Sequence, residues 1–194
     1  MQTIAVVDFE TTGLAPGGGG RATEIAVVLV RGGAIVDRYA SLMQSGAWVP
    51  PFITQLTGIS NEMLAAAPSS RQVMQEVAAF TAGCPLVAHN ASFDQGFWRA
   101  EWELADLTPD PAHEFACTVL LSRRLWPEAQ RHNLGSMAEF LGLEGEGRAH
   151  RALADAAITA ELLLRIQREV ERRFAMDLGH AEVDHGLLAH LQRV

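Results

Sequence analysis

Two carboxylates at the end of an apolar run near the start of the chain limit what the chain can fold into. Asp8 and Glu10 directly follow Ile4-Ala5-Val6-Val7, a run that is typical of a buried strand. Residues i and i+2 of a strand point to the same face, so the two acids lie about 7 Å apart along the backbone. Half-buried carboxylates repel each other, and divalent cations commonly compensate them. The sequence therefore predicts a Mg²⁺ or Mn²⁺ site at the end of a strand.

The composition indicates one globular domain of ordinary size. The chain has 194 residues, of which 48% are hydrophobic, and its net charge is −8. This charge argues against a broad basic surface for long nucleic acid, because phosphate affinity comes mainly from Lys and Arg contacts. It does not exclude a nucleic-acid substrate, since bound cations reverse the local field around acidic ligands.

The chain shows no signal for a membrane or for export. No run of about 18 apolar residues is present, so we expect no membrane span. The N-terminus enters a strand directly and lacks the pattern of a secretory signal. The two cysteines, Cys84 and Cys117, indicate reduced thiols. We therefore expect a cytoplasmic protein.

Hydrophobic periodicity and turn residues predict alternating strands and helices. A Gly32-Gly33 turn joins the second and third strands, which predicts an antiparallel hairpin. Ser69 and Ser70 predict the start of one helix and Asn133 that of another. The predicted strands cover residues 3–10, 24–30, 34–42, 85–88 and 115–119, and the predicted helices cover 52–56, 61–66, 70–81, 93–103, 120–125, 134–141 and 152–173. This order predicts an α/β fold in which helices flank a mixed five-stranded sheet.

Three further residues have a context that suits the same site. Asp94 follows the fourth strand, and ligands of open α/β sheets bind beyond the carboxyl ends of strands. Asp155 lies in the first turns of the long helix, and His150 precedes it by five residues. Five helical residues turn about 500°, which places the two side chains about 140° apart. Either His150 lies in the loop before the helix, or only one of the two residues reaches the site.

The order of these motifs resembles the DEDDh 3′–5′ exonuclease superfamily, which has the ribonuclease H-like fold. Within it, the chain is most similar to proofreading (epsilon) subunits of bacterial replicative polymerases and to ribonuclease T. A sibling subclass has Tyr where this chain has Arg151, so the histidine subclass is indicated. The motifs are Asp8-Phe9-Glu10-Thr11-Thr12-Gly13-Leu14, His89-Asn90-Ala91-Ser92-Phe93-Asp94 and His150-Arg151-Ala152-Leu153-Ala154-Asp155-Ala156.

The resemblance implies a two-metal phosphodiesterase. Two Mg²⁺ or Mn²⁺ ions would be held by four carboxylates, and His150 would act as the general base on the attacking water. The metal ligands implied are Asp8, Glu10, Asp94 and Asp155. The residues expected to contact the terminal nucleotide are Thr11, Gly13, Leu14, Ile59, Asn90 and Phe93. For the substrate contacts, packing in the core or a role in a turn is the alternative.

The expected function is removal of nucleoside monophosphates from the 3′ ends of nucleic acid, with DNA proofreading or repair as the leading hypothesis. RNA trimming of the ribonuclease T type and a non-catalytic interaction domain are the alternatives. We expect residues 1–175 to form the exonuclease domain and residues 176–194 to form a short C-terminal tail or helix. The expected partners are a free 3′ end, single-stranded or frayed, and either a DNA polymerase subunit or a second copy of the chain.

Overall fold

A computed structural model describes residues 1–145, 147–179 and 182–193. The first two strands pair in antiparallel register, with Asp8 opposite Ala26 and Glu10 opposite Glu24. The chain has five strands, β1 (Ile4–Thr11), β2 (Ala22–Arg31), β3 (Ala34–Leu42), β4 (Leu86–Ala88) and β5 (Phe115–Cys117). They form one sheet in the order β3-β2-β1-β4-β5.

Both kinds of strand pairing occur in this sheet. β1 pairs antiparallel with β2, and β2 pairs antiparallel with β3 across the Gly32-Gly33 turn. β4 lies parallel to β1 and to β5. The carboxyl ends of β1 and β4 therefore meet at one edge of the sheet. This arrangement confirms the predicted mixed five-stranded sheet and brings the segments after Val7 and after Ala88 together.

Eight helices are described. They are α1 (Pro51–Thr57), α2 (Asn61–Ala65), α3 (Ser70–Phe80), α4 (Ala91–Leu104), α5 (Thr118–Leu125), α6 (Leu134–Leu141), α7 (Ala152–Leu178) and α8 (His185–Leu191). The predicted caps are confirmed, because Ser69 accepts a hydrogen bond from the Gln72 amide and Asn133 accepts one from the Ser136 amide. Within the described ranges, no helix is both long enough and apolar enough to span a membrane.

Most boundaries differ from the predicted ones by one or two residues, and three of these differences have a clear structural basis or consequence. α4 begins at Ala91 rather than Phe93, because Asn90 adopts a left-handed conformation (φ 66°) that turns the chain directly from β4 into the helix. The fifth strand ends at Cys117, and Thr118 already belongs to α5. α7 continues beyond residue 173 through a non-helical residue, Phe174.

The alternation of side chains along β1 divides the core into two layers. Ile4 and Val6 point to the face covered by α5, α6 and α7, where they pack with residues such as Leu163. Val7 and Phe9 point to the opposite face, which α3 and α4 cover. Asp8 and Glu10 continue the even-numbered positions, so they point toward α7 at the end of the strand.

The C-terminal helix covers the edge strand of the sheet. The Gln192 side chain, directly after α8, accepts a hydrogen bond from the Cys117 amide and donates one to the Phe115 carbonyl. His185, at the start of α8, is buried, and its Nε2 lies 3.0 Å from the Leu86 carbonyl. The Gln192 contacts satisfy backbone groups of the edge strand β5 that an exposed edge would leave unpaired. The division into an exonuclease domain and a tail stays a prediction.

Phe97 links the strand that bears the first acids to the helix that bears Asp94, so its loss should destabilise the fold. The side chain is fully buried, and its ring centroid lies 6.4 Å from that of Phe9 and 5.1 Å from that of Phe93. Phe→Ala changes in cores cost about 3–5 kcal/mol. We expect Phe97→Ala to lower the melting temperature by about 10 °C in a thermal scan. Leu120→Ala, at a 39% exposed position of α5, is the control, and an equal loss there would contradict the prediction.

Candidate active site

The carboxylates of β1 meet the start of α7 at the edge of the sheet. Asp8 and Glu10 point toward α7 because they occupy the even-numbered positions of β1. Ligand atoms of Glu10, His150 and Asp155 all lie within 4.8 Å of one another. Segments separated by about 140 residues in the sequence therefore provide one set of potential metal ligands.

His150 lies in the loop before α7. Of the two alternatives that helix geometry left open, the structure therefore shows the one in which His150 precedes the helix. The helix begins at Ala152, with Arg151 as its N-cap residue. His150 has a left-handed backbone conformation (φ 61°), and its amide donates a hydrogen bond to Oδ2 of Asp155 at 3.1 Å. Because the loop turns back over the first turn of the helix, both side chains reach the same site.

Asp94 approaches from the other face of the sheet. It lies in the first turn of α4 and is 2% exposed. Its Oδ1 accepts a hydrogen bond from the Phe9 amide at 3.1 Å. This bond joins α4 to the end of β1 between the two acids of that strand. The segment that carries Asp94 is thus adjacent to the strand that carries Asp8 and Glu10.

The carboxylates of the site repel one another in a poorly solvated space. Burial raises the pKa of Asp8 well above its usual value, and the nearby charges of Asp94, Asp155, Glu10 and Glu24 raise it further. Burial is also the main cause that raises the pKa of Glu10 to about 7 and that of Asp94 to about 8. A site with this much uncompensated negative charge favours the binding of cations.

A fifth acid, Glu24, is neutralised by an arginine. Glu24 lies opposite Glu10 in the β1–β2 pair and is 4% exposed. The Arg151 guanidinium donates three hydrogen bonds to its carboxylate, the shortest at 2.6 Å, and the Ala152 amide donates a fourth at 3.0 Å. The same guanidinium lowers the pKa of Glu10, against the larger effect of burial. The sequence alone did not predict this ion pair, because its two members lie 127 residues apart.

The donor set fits a hard divalent cation. Carboxylate oxygens from three segments converge with one imidazole, and Mg²⁺ and Mn²⁺ prefer oxygen ligands. Neither cysteine belongs to the cluster of Glu10, His150 and Asp155, which disfavours a zinc–thiolate site. The residues present therefore fit the metal that the resemblance implies.

A cavity of about 440 Å³ adjoins the carboxylates. Most of the predicted substrate contacts line it, including Gly13, Asn90 and Phe93. Thr11 also lines it, and its hydroxyl donates a hydrogen bond to the Gly13 carbonyl at 2.7 Å. Leu14 is 91% exposed at the rim. These positions place five of the six residues where a terminal nucleotide could contact them.

The prediction for Ile59 is not supported by its position. Its side chain is fully buried and packs with Val49 and Leu64 in a small separate cluster. The residue follows Gly58, where α1 ends, and turns away from the cavity into the protein. Ile59 therefore has a packing role beneath the cavity wall in this structure, and its contact with substrate stays a prediction.

The opposite wall of the cavity was not anticipated from the sequence. It is formed by α1, whose side chains Phe52, Ile53, Leu56 and Thr57 face the cavity, and His89 contributes from the end of β4. Phe52 is 66% exposed and Leu56 is 46% exposed. An apolar pair on a short helix between Pro50-Pro51 and Gly58 is a signal that could have indicated a binding surface.

Comparison with known proteins identifies relatives over most of the chain. The RNase_T family, described as Exonuclease, matches residues 5–163. A protein named 3′-5′ exonuclease DinG, from Bacillus subtilis, is 35% identical over 171 residues, which are 88% of this chain and 18% of that protein. A PolC-type DNA polymerase III from Thermotoga maritima is 38% identical over 163 residues, which are 84% of this chain and 12% of that protein.

The chain therefore spans less than a fifth of the length of these two relatives. Among solved structures, Exonuclease X in complex with 5′-overhanging duplex DNA superposes with a TM-score of 0.71 at 28% identity. That match covers 97% of this chain and 99% of the other. The similarity confirms the ribonuclease H-like fold expected from the motifs.

Removal of one central charge should stabilise the metal-free protein. The raised pKa of Asp8 means that its ionised form is unfavourable in the folded state, and one pKa unit corresponds to about 1.4 kcal/mol. We expect Asp8→Asn to raise the melting temperature in EDTA by about 3 °C or more. The increase that Mg²⁺ produces in the wild type should be lost, as measured by thermal scans with and without Mg²⁺. A lower melting temperature in EDTA would contradict this interpretation.

The stability of the metal-free protein should fall as the pH rises. The pKa of Asp94 is about 8 in the folded state against an ordinary 3.8, so between these values the folded state binds more protons than the unfolded state. The free energy of unfolding then decreases with pH, by at most about 1.4 kcal/mol per pH unit for each such group. We expect urea unfolding in EDTA between pH 5 and pH 8 to show this slope. Asp94→Asn should reduce it, and an unchanged slope would argue against a raised pKa.

Proposed function

The chain belongs to the RNase_T exonuclease family, and on that premise we propose that it is a metal-dependent 3′–5′ exonuclease acting on DNA ends. It would hydrolyse the last phosphodiester bond of a strand and release a nucleoside monophosphate. The observation that carries the proposal is the convergence of Glu10, Asp155 and His150 within 4.8 Å, with Asp8 and Asp94 beside them. A domain that only binds a partner has no need for four mutually repelling carboxylates.

Four carboxylates would hold the catalytic cations, namely Asp8, Glu10, Asp94 and Asp155. We propose two ions, Mg²⁺ or Mn²⁺, which would activate the attacking water and stabilise the charge on the attacking and leaving oxygens. Asp94 is fixed by the Phe9 amide and Asp155 by the His150 amide. These hydrogen bonds orient the two carboxylates before any ligand binds.

His150 is suited to remove the proton from the attacking water. It is exposed to solvent and lies beside Asp155 at the mouth of the site. An imidazole can accept a proton near neutral pH. As the water oxygen bonds to phosphorus, the bond from phosphorus to the 3′ oxygen breaks, and that oxygen takes a proton from solvent. The products are a nucleoside 5′-monophosphate and a strand with a new 3′ hydroxyl.

The cavity favours an unpaired terminal nucleotide. Leu14 and Phe52 both line the cavity and present exposed apolar surfaces against which a base could pack. Such contacts require the base to leave a duplex, so a single-stranded or frayed 3′ end is the proposed substrate. The relative named as a PolC-type DNA polymerase III supports DNA over RNA. Association with a polymerase, in proofreading, is part of the same proposal, and a second copy of the chain is the alternative partner.

Digestion of matched substrates tests the proposal. A 3′-labelled single-stranded DNA, a duplex with a 3′ mismatch and an RNA of the same sequence are incubated with Mg²⁺ or EDTA. We expect release of labelled mononucleotide from DNA, faster from the single strand and the mismatch than from a matched duplex, and none in EDTA. Faster digestion of RNA would instead indicate an exoribonuclease. Cleavage of a circular single strand would contradict an obligate exonuclease.

Substitutions at the site should distinguish the role of the carboxylates from that of the general base. We expect Asp155→Asn to reduce turnover to background and His150→Gln to lower kcat by about 10²- to 10⁴-fold, while the circular dichroism spectrum stays unchanged. Arg31→Ala, at the far end of β2, is the control and should keep wild-type activity. Near-wild-type turnover by Asp155→Asn would show that the assignment is wrong.

A further inference from the structure

An arginine near the general base contacts the opposite wall of the cavity. Nη2 of Arg148 donates hydrogen bonds to the carbonyl oxygens of Gln55 at 3.3 Å and of Leu56 at 3.5 Å. These carbonyls belong to the last turn of α1, where helical backbone acceptors lack partners within the helix. Arg148 therefore caps the C-terminal end of a helix that is more than 90 residues away in the sequence.

The contact depends on the absence of a side chain at Gly58. This residue ends α1 in a left-handed conformation (φ 78°). A Cβ atom placed there would lie 2.6 Å from Nη1 of Arg148. The glycine thus leaves the space that the guanidinium occupies against the end of the helix.

The segment between Arg148 and Arg151 carries His150 and is fixed at both ends. Arg148 binds the end of α1, and Arg151 binds Glu24 on β2 through its bidentate ion pair. His150 lies between them in a left-handed conformation (φ 61°), which is unfavourable for a residue other than glycine. The two arginine contacts therefore hold the backbone of His150 in a conformation that it does not prefer.

The helix that Arg148 caps is also the wall that a terminal base would contact. Phe52, Ile53 and Leu56 of α1 face the cavity, and Leu56 provides one of the two carbonyls that Arg148 binds. A base that packs against these side chains therefore contacts the same helix whose carbonyls Arg148 binds, and it adds packing that supports the helix in this position. Because Arg148 is exposed, water competes for its hydrogen-bond donors, and added packing against α1 can raise the fraction of molecules in which the contact is made.

We propose that Arg148 is a positioning residue that couples occupation of the nucleotide cavity to the placement of His150. This proposal rests on the function proposed above and adds how the site recognises a complete 3′-terminal nucleotide. When the base fills the cavity, α1 holds Arg148, and the loop places His150 beside Asp155. Without the base, α1 loses this support, the Arg148 contact is made less often, and the His150 side chain is in position for proton transfer in a smaller fraction of molecules.

A single-turnover experiment with two substrates tests this coupling. One substrate is a single-stranded oligodeoxynucleotide, and the other ends in an abasic nucleotide with the same phosphodiester bond and 3′ hydroxyl. For the wild type at saturating enzyme and Mg²⁺, we expect loss of the base to lower the maximum rate about tenfold. For Arg148→Ala, the intact substrate should already react about tenfold more slowly, since a small misplacement of a catalytic group has effects of this order. The abasic substrate should show no further loss of rate.

Matched variants distinguish positioning from general damage. Arg148→Lys keeps a donor for the carbonyls and should recover part of the rate, whereas Arg31→Ala should behave as the wild type with both substrates. Gly58→Ala should slow the intact substrate as Arg148→Ala does, because its Cβ displaces the guanidinium. The double variant should be no slower than Arg148→Ala alone. Thermal scans confirm that each variant is folded.

The outcomes against the proposal are distinct. A wild-type maximum rate in Arg148→Ala, or a tenfold effect of the base that persists in this variant, would overturn the coupling. A wild type that reacts equally fast with both substrates would overturn it as well. Absence of metal-dependent nucleotide release by the wild type would instead overturn the proposed function. The proposal for Arg148 and the proposal for the function of the chain can therefore be contradicted independently of each other.

Discussion

The concentration of carboxylates at the carboxyl end of β1 is the constraint to which the surrounding structure responds. Burial and mutual repulsion raise the pKa values of Asp8, Glu10 and Asp94, so each acid is held where ionisation is unfavourable. Folded proteins tolerate such clusters when hydrogen bonds and counter-charges offset part of this cost. Here the Phe9 amide binds Asp94, and the His150 amide binds Asp155. The backbone thus orients two of the acids while it leaves the remaining charge for cations.

Each of the two loops that border the site ends in an arginine that forms an ion pair with a buried glutamate. Arg21, at the end of the loop that carries Leu14, forms a bidentate ion pair with Glu101, which is 1% exposed and also accepts a hydrogen bond from the Ala22 amide. Arg151 and Glu24 repeat this arrangement at the end of the loop that carries His150. Buried ion pairs add little net stability compared with apolar packing, but they define geometry well. Each loop therefore enters its next element at a fixed point, although its tip is exposed.

The predictable part of the structure is the part that local patterns determine. Alternation along β1 indicated that Asp8 and Glu10 share a face, and the turn and cap residues located most strands and helices. The sequence alone could not show that α1 forms a wall of the cavity, because this depends on the packing of a short helix against distant segments. The same limit explains why neither the buried position of Ile59 nor the Arg148 contact was foreseen. Each depends on partners that the chain brings together only after the sheet has formed.

The charge of the site also bears on the order in which its ligands bind. The chain as a whole carries −8, and the site adds a local excess of acids. Among the described residues, the charge of Arg151 lowers the pKa of Glu10 and that of His150 lowers the pKa of Asp155, but burial outweighs both effects. A phosphodiester approaching these carboxylates is repelled until divalent cations reverse the local field. The exposed apolar surfaces of Leu14 and Phe52 line the adjoining cavity, and in the proposed function they would attract a base without regard to charge. Under the proposed function, affinity for a 3′ end would have two separate sources, stacking at the cavity and cations at the carboxylates, and hydrolysis at the full rate would require both.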